Sequence, residues 1–104
     1  MKPEIQDKLQ NIVVAVIAHF KSLNSPGKGA VDVALLSSQV INYLIERNEI
    51  KFNEKMECCD SILRLINITL HNAMLSQHIL LIKNEMLKQQ GYNLQQVSKI
   101  YNQI

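Results

Sequence analysis

Between residues 53 and 91 the chain carries its densest apolar content, with no proline and no internal glycine. The pattern there predicts helix almost throughout. At steps of three and four the apolar side chains fall into two neighbouring stripes. One runs Cys59, Leu63, Ile66, Leu70, Ala73, Leu80 and Leu87, with the polar Gln77 and Asn84 interrupting it; the other runs Leu65, Ile68, Leu75, Ile79, Ile82 and Met86. A single surface helix needs one stripe, so two imply burial against more than one neighbour, in a core or at an interface. An unbroken helix over 54–90 would reach roughly 55 Å at ~1.5 Å per residue. That is long against a radius of gyration of about 13 Å for a domain of this size. The segment therefore either breaks or reaches into a partner. The place for a break is Thr69-Leu70-His71-Asn72-Ala73, where Thr, His and Asn are poor helix formers.

The flanking pattern is also helical. After Pro3, suited to a first helical turn, Ile5, Leu9, Ile12, Val13, Val16, Ile17 and Phe20 line one face, and Val14 and Ala18 widen it towards a second contact. That helix stops near Leu23. The run Asn24-Ser25-Pro26-Gly27-Lys28-Gly29 is loop composition. A second helix is predicted from Ala30–Asp32 to about Arg47, with Val33, Leu36, Val40, Ile41, Leu44 and Ile45 as its apolar face and Asn48-Glu49 ending it. Ile50-Lys51-Phe52 reads as a short apolar connector, and Asn53 as the N-cap of the central segment. Gly91 is placed to close that segment. Asn93 with Gln96 resembles a capping box for a short last helix carrying Leu94, Val97, Tyr101 and Ile104 on one face. The expectation is an all-α fold, a single domain over 1–104, built as a bundle of four to five helices.

Composition narrows the function more than it defines it. A chain of 104 residues buries only a modest core, which makes a homodimer a natural supplement. The net charge of +2 is dispersed, so no basic face for nucleic acid is expected. There is no secretory leader pattern and no apolar run long enough for a membrane span. Cys58 and Cys59 are adjacent, where a disulfide would be strained; they read as reduced thiols of a cytoplasmic protein.

Candidate chemistry is sparse. His71 and His78 stand seven apart rather than at the spacing of a zinc pair, and the cysteines lie far upstream, so no metal site is expected. His19 reads as helix-end packing. Glu54, Glu57 and Asp60 line one face near a helix N-terminus, where they complement the dipole. Ser25-Pro26-Gly27-Lys28-Gly29 lacks the spacing of a phosphate-binding loop. No catalytic residue or cofactor site follows, and the chain is not expected to be an enzyme.

Several short stretches carry a family likeness. His19-Phe20-Lys21-Ser22, the helix from Leu35 through Asn42-Tyr43-Leu44, Asn53-Glu54-Lys55 and Ile62-Leu63-Arg64-Leu65-Ile66 together resemble the small enterobacterial AriR/YmgB-type regulators. That resemblance implies a helical, dimeric two-component connector of the biofilm and acid-resistance type, with a response regulator as its partner class. Separately, Asn42-Tyr43-Leu44-Ile45 followed by Asn48-Glu49-Ile50-Lys51-Phe52-Asn53-Glu54 looks like a helix junction of the bacteriocin immunity proteins. The leading expectation is thus a bacterial, non-enzymatic regulator or connector that binds another protein as a homodimer. Its first and central helices would pack at the dimer, with Ile12, Val16, Leu63, Ile66, Leu70 and Leu80 as core and interface positions. The alternatives are an immunity-type protection protein or a small secretion chaperone that binds an apolar helix.

Overall fold

The long central segment divides. In the computed structural model, which describes residues 2–23 and 29–104, α3 spans Lys55–Leu70 and α4 spans Ala73–Lys88. His71 between them sits in the left-handed region at φ 48°, ψ 47°, a conformation that His tolerates better than most side chains. Its N–H still donates to the carbonyl of Asn67 at 2.9 Å, and the side chain of Asn72 then caps α4 by accepting from the Leu75 N–H at 3.0 Å. The turn folds α4 back antiparallel on α3. Asp60 meets Lys83 at 2.9 Å, and Ser76 donates to the side chain of Asn67 at 3.0 Å. The molecule, with principal extents of 33 × 27 × 25 Å, has no room for a helix of roughly 55 Å, so the break is a requirement of packing.

Around this hairpin stand α1 (Pro3–Ser22), α2 (Ala30–Glu46), a single 3-10 turn (Phe52–Glu54) and α5 (Leu94–Tyr101). Among the described residues there is no strand. The α3 helix packs on α1, α2 and α4, and α5 closes the far side against α1 and α2. Leu9, Ile12, Val13 and Val16 of α1 meet Val40, Ile41 and Leu44 of α2 and Cys58, Cys59, Ile62, Leu63 and Ile66 of α3 in one buried cluster, extended by Leu75, Ile82 and Met86 of α4 and Val97 and Ile100 of α5. The loop expected over 24–29 lies outside the described residues except for Gly29, which precedes α2.

Three expected helix ends differ from the structure or gain a cause. The α2 helix closes on Asn48, left-handed at φ 60°; Glu49 N–H reaches the Leu44 carbonyl at 2.9 Å and Asn48 N–H the Ile45 carbonyl at 3.0 Å, the paired bonds of a Schellman cap. Asn53 is not the cap of α3: it lies within the 3-10 turn, which is closed by the Glu54 carboxylate accepting from the Lys51 N–H at 3.1 Å. Gly91 does not close α4, which ends at Lys88. Its last carbonyls are taken from outside the helix. Ser38 donates to Met86 O at 2.7 Å, Lys55 to Gln89 O at 2.7 Å, and Asn42 to Gln89 O at 2.8 Å. Asn93 does cap α5, accepting from the Gln96 N–H at 3.2 Å.

Candidate functional site

No Asp, Glu, Lys or Arg occurs between Arg64 and Lys83. That uncharged stretch forms the C-terminal end of α3, the turn and the first part of α4. It is also where the apolar surface lies. On α4, Leu80 is 66% exposed, Leu81 64% and Met74 62%, with Ile79 partly so; on α3, Ile68 is 60% exposed and Leu70 partly so. A run of consecutive exposed apolar residues such as Ile79-Leu80-Leu81 is a defect in a solitary domain unless something uses it.

The cause is a change of phase along the hairpin. Up to Ile66 the core takes the first apolar stripe, Cys59, Leu63 and Ile66. After the turn it takes the second, Leu75, Ile82 and Met86. The left-handed His71 rotates the chain between helices, and His78, with φ −118° and ψ 21°, kinks α4 while Leu75, Ile82 and Met86 stay buried on one side. Ala73 and Leu80 of the first stripe are thereby carried to the surface, while Leu70 is exposed as the last residue of α3, before the turn.

Of the positions expected to be core or interface, Ile12, Val16, Leu63 and Ile66 are fully buried within this one chain. They cannot also form a dimer contact between the first and central helices. Leu70 and Leu80, of the same set, lie on the surface of the chain and not in its core. Val14 and Ala18, expected to widen the apolar side of α1 towards a second contact, are both exposed, while Ala15 and Val16 between them are buried. Met74 and Leu81 belong to neither stripe. Their signal in the sequence is that they remain over once both stripes are assigned.

The reactive groups are placed as follows. Among the described residues no three His, Cys, Asp or Glu side chains come together as metal ligands. His71 and His78 are both exposed. His19 is buried, tilted against Phe20 with ring centroids 5.8 Å apart, and its Nε2 has no hydrogen-bond partner among the described residues. Both cysteines are free and fully buried. Burial pushes the Cys58 thiol up to about 12, with Cys59, Glu54 and Glu57 adding to the shift; burial pushes Cys59 up to about 11 against the pull of Lys55. Thiols so poor in thiolate are weak nucleophiles at neutral pH. Asp60 is engaged by Lys83 and Glu54 by the Lys51 N–H, while Glu57 is exposed.

At the other end of the bundle Glu49 ties three elements together. It accepts from Lys8 at 2.8 Å, Tyr101 at 2.9 Å and Arg47 at 3.1 Å, and Arg47 stacks over the Tyr101 ring at 4.9 Å. The Lys8 hydrogen bond, opposed by partial burial and helped by Tyr101 and Arg47, holds the Glu49 carboxyl below its ordinary range. A carboxylate whose folded pKa is depressed stabilises the fold above its unfolded pKa, and that contribution is lost as pH falls through the folded value. A Glu49→Gln variant is therefore expected to lose less Tm than wild type between about pH 6 and about pH 3. Equal losses in the two proteins would remove Glu49 from the acid response.

Among the described residues no helix is long and apolar enough to cross a membrane. Compared with protein-family models, with curated proteins and with solved structures, the chain shows no match to any of them.

Proposed function

We propose that the protein is a non-enzymatic regulator or connector that acts by binding another protein, and that it does so as a helical homodimer. One observation carries the reading: an uncharged segment holds Met74, Leu80 and Leu81, each more than 60% exposed, on the outer side of α4. Side chains of this kind are costly to leave in water and are the usual anchors of a protein interface. The potentially reactive groups support the non-enzymatic part. The thiols are buried, and Glu49 and Asp60 are engaged in holding helices together. The free cysteine pair suits a reducing compartment, the cytoplasm. The resemblance to AriR/YmgB-type connectors supplies the regulatory part and a response regulator as the partner class. A secretion-chaperone reading is favoured by the same uncharged face, which would accept an apolar helix of a client.

The test is a double variant, Leu80→Asp/Leu81→Asp. Both positions are exposed, so its helix content by circular dichroism is expected to match wild type. A purified binding partner that holds wild type at fixed stoichiometry is expected to release the double variant, whether it touches the face directly or requires the dimer. A partner that binds both proteins equally would take the function away from α4.

A further inference from the structure

We infer that the outer face of α4 is covered in solution by the same face of a second copy, the two α4 helices packing antiparallel across a two-fold axis near Gln77. This rests on the reading of the protein as a homodimer and assigns that dimer its surface.

Three observations single out a second copy as the occupant. The first is area. Met74, Ile79, Leu80 and Leu81 of α4, with Ile68 and Leu70 at the adjoining end of α3, expose on the order of 600 Å² between them at their observed exposures, most of the ~800 Å² each partner gives to a stable interface. The second is charge. In an isologous contact the residues at the axis face their own copies, so a charged residue there would meet its like. The whole stretch from 65 to 82 has none; charges resume at Arg64 and Lys83, and Glu85 and Lys88 stand beyond them on α4. The third is register. Leu75 and Ile82, on either side of the kink at His78, both point into the core, and Met74 and Leu81, which immediately precede them, are both exposed on the outer side of α4. Centred on Gln77 and His78, an antiparallel pairing sets Met74 of one copy against Leu81 of the other, twice. A lipid surface fits less well, because a helix lying in a membrane interface carries Lys or Arg along its polar border. The first part of α4, up to Ile82, carries neither.

Sedimentation equilibrium on wild type and Leu81→Asp is the test, joined to oxidative trapping of Gln77→Cys. The native thiols are buried, so the introduced cysteine is the reactive one. Wild type is expected to be a dimer at low micromolar concentration. Leu81→Asp is expected to dissociate with its helix content intact and a dissociation constant raised on the order of 100-fold, since the substitution strikes the interface twice. Gln77→Cys is expected to yield a covalent dimer on mild oxidation, while Gln95→Cys on α5 yields none. A monomeric wild type would overturn both this inference and the homodimer reading. A wild-type dimer that survives Leu81→Asp and leaves Gln77→Cys untrapped would overturn this surface alone.

Discussion

An Ile66→Asp variant is expected to lose the native helical signal at room temperature. Ile66 is fully buried on α3, the helix that α1, α2 and α4 all pack against. Truncating a buried aliphatic side chain of this size costs about 2–5 kcal/mol through lost transfer energy and the cavity left behind. A carboxylate in its place adds a desolvation cost of several kcal/mol, or else must take up a proton to avoid it. Total stability for a domain is about 5–15 kcal/mol, and a small core lies towards the lower end. The two costs together exceed what such a core has in reserve. The milder Ile66→Ala is expected to fold, with Tm lowered by roughly 10–25 °C. A circular dichroism melt of the three proteins decides it: wild-type behaviour of Ile66→Asp would mean that Ile66 is not in the core.

The second large effect belongs to a polar residue. Lys55 is only 8% exposed, and its ammonium donates to Gln89 O at 2.7 Å. It sits where the carbonyls of α4 converge, the negative end of the helix dipole, alongside Ser38 and Asn42. A hydrogen bond from a charged donor contributes about 1.5–3 kcal/mol, and the aliphatic stem of a buried lysine packs as well. Lys55→Ala is expected to lower Tm by roughly 8–16 °C. Lys55→Met, which keeps the stem and loses the donor, is expected to fall between the two. If Lys55→Met melted with wild type, the stabilisation would come from the stem alone.

The all-helical architecture is legible in the sequence because each helix carries its own periodicity. Ile12, Val16, Leu63 and Ile66 repeat at three and four, and all are buried. Asn48 and Asn93 are readable as helix ends because the chemistry is local. The stretch 69–73 is readable as a weak point, but propensity cannot decide whether a weak point becomes a turn. That depends on the rest of the bundle, which offers α4 a place beside α3. Once His71 turns left-handed, the phase of α4 is set by packing, so a stripe drawn straight through the turn misplaces Ala73 and Leu80, whereas Leu70 is exposed because α3 ends on it. The end of α4 misleads for a related reason: Gly91 is the local signal, yet Ser38, Asn42 and Lys55, distant in sequence, hold the terminus three residues earlier. The α4 part of the apolar surface escapes notice because it exists only after that change of phase.

Three methionines report on whether the outer face of α4 is where two copies of the protein meet. Met86 is buried, Met56 is exposed at the opposite end of α3, and Met74 is exposed within the apolar face. Peroxide converts an accessible methionine to its sulfoxide, so mass-spectrometric oxidation rates across a protein dilution series report each position separately. The expected result is a protected Met86 and a reactive Met56 at every concentration, with Met74 reactive in dilute protein and increasingly protected as concentration rises. A Met74 that oxidises as fast as Met56 throughout the series would contradict the assignment of this face to self-association.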